Sequence, residues 1–415
     1  MSLELADVSQ SILETKNRLK DQLPDLDGLL ADIQSHIDEE VDDIRSCQQR
    51  GESVIPELDF DTIVQDGVSQ EIVDQIKRRG SVIVRQVIPC QQAMAWNDEL
   101  SDYITSNGYY EAEVDPSLDQ YFSDLKSGRP QIFGIYWSRP QVLCRAASSM
   151  ALTRAFLNRL WISRRGDDVY FDPDRECIYA DRIRRREPGD KTLGLSPHMD
   201  GGSVERWIDP EYRKVYRHVF SGDWRKYDPF DGAHRVDAKE IPSPAVCSVF
   251  RTYQGWTALS PQGPGDGTLQ LIPIVRGIVF HLIRALCEDI AQDELAGAQP
   301  CRPLAVAPQW HAPLLNGLVS IPHVEPGDAV FWHPDVAHAV EDVHQGAGYS
   351  NVVYVGAAPY CAKNAAYVER QKVAFLRGES APDFAAENYE IDYQGRATTD
   401  DLSEVGQQQM GLLDW

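Results

Sequence analysis

The chain has 415 residues, 42% of them hydrophobic and 25% charged, the proportions of an ordinary soluble globular protein. Its 64 acidic side chains outnumber 40 basic ones, for a formal net charge of −24. Such a surface repels phosphate backbones and anionic headgroups, so neither nucleic acid nor a membrane is an expected partner. No apolar run approaches the roughly 18–20 residues that a bilayer span requires. The N-terminal stretch MSLELADVSQ lacks the basic-then-apolar layout of a secretory signal. The eight cysteines form no CxxC pair, which suits reduced thiols and a cytoplasmic location.

Along the chain, Leu26, Leu29, Leu30, Ile33, Ile37, Val41 and Ile44 recur at three- and four-residue steps. That spacing predicts an amphipathic helix, capped at Pro24 and Asp25 and ended near Gly51. Residues 1–60 therefore read as a helical extension that packs on something else. Residues 61–170 read as a mixed α/β flank. There, QEIVDQIKRRGSVIVRQVIP gives a helix, then Gly80, then a short apolar strand, and QVLCRAASSMALTRAFLNRLW gives another helix.

From 171 to 360 the texture changes to short runs broken by glycine and proline, among them CIYADRIR, CSVFRTYQGWTAL, GTLQLIPI, DAVFWH and SNVVYVGAAP. These predict an antiparallel β core, sandwich or barrel. No helix separates the second run from the third, which argues against a doubly wound sheet. Two insertions interrupt the core: 204–240, rich in Trp, Tyr and Asp, and 274–297, which has a helical pattern. Residues 361–415 supply a last helix and a polar tail. The expected class is mainly β with helical flanks.

Three His-x-Asp pairs occur: His36/Asp38, His198/Asp200 and His333/Asp335. The first lies in the N-terminal helix, where positions i and i+2 face apart, so solvated surface is expected. The second sits at a strand end, where i and i+2 share a face, before Gly201 and Gly202. Those glycines would let a ligand approach the backbone. The third belongs to FWHPDVAH, which also offers His338. Two imidazoles and one carboxylate on one side of a metal leave three positions open, the pattern of non-haem Fe(II) oxygenases.

The segments HMD, GWTALSPQGPGDGTLQLIP and GDAVFWHPDVAH, in that order, resemble the phytanoyl-hydroxylase-type branch of the iron(II)/2-oxoglutarate-dependent oxygenases. Over nearly the whole chain, through IYWSRPQ, DRIRRR, VFRTYQGWTALS and AAPYCAKN, the sequence is similar to the YbiU-like proteins placed near that branch. The resemblance implies a double-stranded β-helix, or jelly roll, with Fe(II) held by His198, Asp200 and His338. It also implies 2-oxoglutarate and O₂ as co-reactants of a small-molecule substrate. The analogy selects His338 over His333, whose ordinary reading is a buried histidine bonded to backbone. Because Asp200 keeps its carboxylate, halogenation is disfavoured; the expected outcome is hydroxylation, desaturation or ring closure at an unactivated C–H.

The far carboxylate of 2-oxoglutarate needs a cation, since burying it unpaired costs several kcal/mol or more. The family's arginine about eleven residues after the distal histidine has no counterpart here, where Tyr349, Ser350 and Asn351 stand. Arg251, inside an otherwise apolar run, is the first candidate, followed by Arg184 or Arg182 on one face of DRIRRR. Arg185 falls on the other face, and a solvated edge strand is an equal reading of the cluster. Trp256 and Asn351 are assigned to the same cosubstrate pocket. Tyr136, Trp137 and Arg139, with the 204–240 insertion, are candidate walls or lid, and surplus arginines favour a carboxylate- or amino-acid-like substrate. A zinc hydrolase using the same ligands and a non-catalytic jelly-roll binding protein remain the alternatives, and the oligomeric state stays open.

Overall fold

A computed structural model of the chain describes residues 8–112, 131–191 and 196–415. The stretches 1–7, 113–130 and 192–195, which fall in the expected extension, flank and core, lie outside the described residues. The short apolar runs assemble into two large sheets. The larger has seven strands in the order Glu57–Asp59, Ser81–Arg85, Ala329–Trp332, Gln254–Ala258, Ser350–Tyr354, Ile183–Arg186 and Ile132–Phe133. Its first pair is parallel and every other pair antiparallel. The smaller sheet has five antiparallel strands in the order Leu304–Ala305, His198–Met199, Ala337–Val340, Leu269–Ile272 and Val319–Ser320. Among the described residues the two remain separate sheets and close no barrel.

Ser81–Arg85 shows why the larger sheet forms as it does. Its Val82, Ile83 and Val84 are buried without alternation, as a strand covered on both faces requires. Three strands of this sheet come from residues 57–133, so that segment builds the sheet and does not merely pack against it. Helices Cys90–Ser106 and Ser148–Arg159 add Trp96, Leu100, Ile104, Met150 and Leu157 to the same apolar cluster.

A second apolar cluster lies on the side of the smaller sheet. Helix Leu26–Arg50 starts where the Asp25 side chain accepts from the Gly28 amide and stops at Gly51, whose φ of 71° only glycine adopts at little cost. It buries Ile33, Ile37, Val41 and Ile44 against helices Gly277–Arg284 and Pro308–Leu315. The 274–297 segment is helical only over those eight residues, Gly277–Arg284. Beyond them the acid-rich chain turns, and its Ile290, Ala291 and Glu294 carbonyls accept from Lys16 Nζ at 3.2, 2.8 and 3.0 Å. The buried ammonium ties helix Val8–Asp21 to the body of the protein. His36 is not solvated surface as its helix position suggested: its ring packs 5.2 Å from that of Trp224. No helix among the described residues is long and apolar enough to cross a membrane.

The tail crosses back over the chain at Tyr136. Glu390, buried, accepts from the Tyr103 hydroxyl at 2.7 Å and from the Tyr136 and Trp137 amides at 2.6 and 3.0 Å. Burial outweighs these donors and pushes its carboxyl up to about 7. The folded state therefore binds this proton more tightly than the unfolded one, and its contribution is complete below pH ~4.5 and lost as pH rises toward 7. Subtracting the unfolding free energy of Glu390→Gln from that of the parent should give a difference that falls by roughly 3 kcal/mol across that window. A flat difference in denaturant titrations would remove Glu390 as a titrating group.

Candidate metal centre

His198 lies in a two-residue strand, and the strand Ala337–Val340 runs antiparallel beside it with His338 directly opposite His198. Residues paired this way project from one face of a sheet with their Cβ atoms close together. The two imidazole centroids are 4.3 Å apart. Asp200, two residues beyond His198, returns to the same face. Its Oδ1 lies 3.6 Å from His198 Nε2 and its Oδ2 3.6 Å from His338 Nε2.

One ligand atom from each residue lies within 4.8 Å of the others. Donors bound to a divalent ion at about 2.1 Å sit roughly 3.0–3.5 Å apart, so this cluster is close to a closed first coordination shell. His198 Nδ1 contacts the Ser196 carbonyl at 2.7 Å, which fixes the proton on Nδ1 and leaves Nε2 bare for a metal. Burial, helped by the neighbouring His198, pulls the His338 imidazole down to about 3, so it stays neutral. Burial pushes Asp200 the other way, but His338, His198 and Arg251 outweigh it and hold the carboxyl below its ordinary range. Two imidazoles and an ionised carboxylate are a donor set for a divalent transition metal.

The turn that carries Asp200 is braced from behind. Arg206 donates from Nη2 to the Asp200 carbonyl at 3.1 Å and from Nε to the Gly202 carbonyl at 3.1 Å. Its Nη1 reaches Asp335 at 2.6 Å, and Asp335 also takes Arg235 Nη2 at 2.8 Å, Tyr216 Oη at 3.0 Å and Tyr227 Oη at 2.7 Å. Asp335 is thus a fully partnered anion, and the loop before His338 is locked to the turn after His198. Gly202 serves this packing, whereas a Cβ on Gly201 would meet nothing within 4 Å. A Cβ on Gly202, whose φ is 93°, would meet the Tyr212 hydroxyl at 2.9 Å.

His333 stays out of the cluster. It stacks on Trp161 at 4.8 Å, its Nε2 contacts the Pro229 carbonyl at 3.0 Å, and its Nδ1 accepts from the Asp335 amide at 2.9 Å. Both ring nitrogens are occupied.

A cavity of about 380 Å³ opens beside the three ligands, walled by strands of both sheets. Arg182, Arg184, Arg251 and Trp256 line it. Arg184 is buried, with one hydrogen bond from Nη2 to the Gly267 carbonyl at 3.2 Å, while its Nε has no hydrogen-bond partner among the described residues. Burial drags this guanidinium down to about 10. Its strand pairs with Ser350–Tyr354, and Arg184 stands opposite Val352. Arg251 precedes strand Gln254–Ala258 and does not lie within it; its Nη2 is 4.0 Å from Asp200 Oδ2. Burial opposes its charge, but Cys247, Tyr179 and Asp200 raise it above the usual range.

Other expected residues fall elsewhere. Asn351 bonds Asn97 at 2.8 Å and does not line the cavity. Tyr136 packs on Phe384, and Trp137 donates to the Glu379 carbonyl at 2.7 Å. Arg139 is exposed and ion-paired with Asp401 at 2.8 Å. None of the three lines the cavity, and no residue of 204–240 does. Gln254, Trp332, Tyr354 and Asp181 line it unforeseen. Trp332 Nε1 is buried without a hydrogen-bond partner among the described residues, which suits a polar ligand, and the Gln254 amide helps hold the Asp200 carboxyl down. Gln254 and Trp256 sit at alternate positions of one strand, the single sequence signal that links the amide to the cavity.

Two sheets enclosing a His-Asp-His cluster at a polar cavity define a candidate metal-dependent protein. The chain belongs to the Gig2-like family, whose profile matches residues 6–412. It is 40% identical over 409 residues to the uncharacterized protein YbiU of Escherichia coli K12, covering 98% of this chain and 97% of that one. A Salmonella typhimurium LT2 structure, whose description proposes an oxidoreductase, superposes with a TM-score of 0.94 at 39% identity over 99% of this chain and 98% of that one. The GlcNAc Inducible Gene 2 product of Candida albicans does so with a TM-score of 0.83 at 26% identity over 100% and 91%.

His338→Ala should leave the protein unable to retain a stoichiometric divalent ion after dialysis. His333→Ala should keep the ion while lowering the melting temperature. Metal-to-protein ratios by elemental analysis separate the two, and equal loss in both would undo the ligand assignment.

Proposed function

We propose that the protein is a non-haem iron(II)/2-oxoglutarate-dependent oxygenase of the phytanoyl-hydroxylase type. The two sheets would then be the halves of a double-stranded β-helix. His198 Nε2, Asp200 and His338 Nε2 would hold the metal. The carrying observation is their convergence at the edge of a cavity that also contains a buried guanidinium without a carboxylate partner among the described residues. Iron(II), with 2-oxoglutarate and O₂, supplies the oxidising power to break an unactivated C–H bond, releasing succinate and CO₂.

The chain's own residues divide the remaining work. Arg184 holds the far carboxylate of 2-oxoglutarate, in place of Arg251, the first expectation. It comes from the strand next to Ser350–Tyr354 and so replaces the absent cation of that strand. A buried guanidinium lacking a counterion is poised for a bidentate carboxylate. Arg251 keeps Asp200 ionised, and Trp256, Trp332 and Leu269 exclude water from the reacting centre. Arg182, Arg251, Asp181 and Asp383 all line the cavity, a mixture of charges that fits a small substrate bearing a carboxylate and an amine. The oxidoreductase description of the Salmonella relative supports the same reaction class. We place the enzyme in the cytoplasm, acting on a free metabolite.

Anaerobic addition of Fe(II) and then 2-oxoglutarate should produce a weak visible charge-transfer band, and admission of O₂ should release succinate. Without band or succinate, a zinc hydrolase or a binding protein becomes the better reading. Arg184→Met should weaken 2-oxoglutarate binding about 100-fold by stranding its carboxylate, whereas Arg251→Met should change it far less. The reverse order, read from titration of the band, would return the role to Arg251.

A further inference from the structure

A second cavity, of about 490 Å³, lies away from the metal centre, among helix Leu26–Arg50, helix Gln70–Arg79, residues 226–230 and the start of helix Gly277–Arg284. Four cationic side chains line it, Lys77, Arg78, Lys226 and Arg276, against two carboxylates, Glu40 and Asp228. In a chain of net charge −24 this is a local reversal of sign.

Both carboxylates are engaged. Glu40 accepts from Arg78 Nε at 3.0 Å and from Arg79 Nη1 at 3.1 Å, and Asp228 accepts from the Phe230 amide at 2.9 Å. Lys226 is held by Asp223 at 2.8 Å. Lys77 and Arg276, both half-buried, have no carboxylate partner among the described residues. The Lys77 ammonium instead lies 5.4 Å from the centroid of the Phe230 ring, a contact that positions the charge without neutralising it. Burial lowers the His36 imidazole, and Arg276 adds to that, so the imidazole at this wall stays neutral. Phe230, Tyr227, Ile274 and Val275 make the rest of the wall apolar or aromatic.

We propose that this cavity is a second ligand site, which takes a small phosphate monoester. Lys77 and Arg276 bind the dianion, one as a point charge and the other as a planar fork. The wall around Phe230 packs against the organic part. Two unpaired cations match one dianion in charge, and an acidic protein has carboxylates to spare for any cation meant only to be neutralised. The site is independent of the iron chemistry.

The test is ³¹P NMR titration of the full-length protein, in buffer free of phosphate and sulfate, with inorganic phosphate and with phenyl phosphate. Both should bind, phenyl phosphate more tightly, and the double variant Lys77→Gln/Arg276→Gln should weaken each at least about tenfold. Arg276→Lys should recover part of that loss, which a folding defect would not, and Arg251→Met in the other cavity should leave both affinities unchanged. The proposal is overturned if the parent binds neither probe, if the double variant binds as the parent does, or if Arg251→Met is the variant that loses binding.

Discussion

The pairing of His338 with His198 across two antiparallel strands is the constraint on which the centre depends. A strand's side chains alternate, so a slip of one residue would turn His338 to the far face and dissolve the cluster. The partner strand is only two residues long and cannot set that register by itself. It is set from the other side, where Leu269–Ile272 pairs with all four residues of Ala337–Val340 and places Leu271 opposite His338. The Asp335–Arg206 pair then ties the two chain segments together at their ends. A buried ion pair of this kind adds little net stability relative to apolar packing, but its unmet charges make the wrong alignment costly.

Local patterns made part of this legible. His198 and Asp200 share a strand face by simple alternation, and the N-terminal helix announces itself through Ile33, Ile37, Val41 and Ile44 with a capping aspartate and a terminal glycine. The choice of His338 needed family resemblance, since nothing in FWHPDVAH says which imidazole has free ring nitrogens. That depends on Trp161 and Pro229, which meet His333 from distant parts of the chain. Arg251 lines the cavity from just outside the strand, since residues 250–253 lead into it, and an apolar neighbourhood in sequence does not reveal that boundary. IYWSRP looked like a binding motif for its aromatics, yet those rings pack on Phe375 and Phe384. Aromatic content does not distinguish a pocket wall from a core.

The basic cluster DRIRRR is resolved by position. Its strand lies inside the larger sheet, between Ser350–Tyr354 and Ile132–Phe133, and so is no solvated edge. Arg182 and Arg184 face the cavity. Arg185 points away, bonding Ser101 Oγ at 2.7 Å. Arg186 is spent on carbonyls of Gly267, Glu341 and Asp190 at 2.8, 2.8 and 2.9 Å. One short run thus supplies a cavity-facing pair, an outward contact and a structural brace.

The opposition between an acidic exterior and a cationic interior has a kinetic side. Any small anion approaching from solution would meet repulsion from the whole molecule before it felt the buried arginines, whose attraction acts over only a few ångströms. Dissolved ions shorten the reach of the outer field to about 8–10 Å near physiological ionic strength and leave the enclosed contacts almost untouched. Added salt should therefore speed capture of an anionic small molecule by this protein, the reverse of the slowing seen where opposite charges steer the encounter.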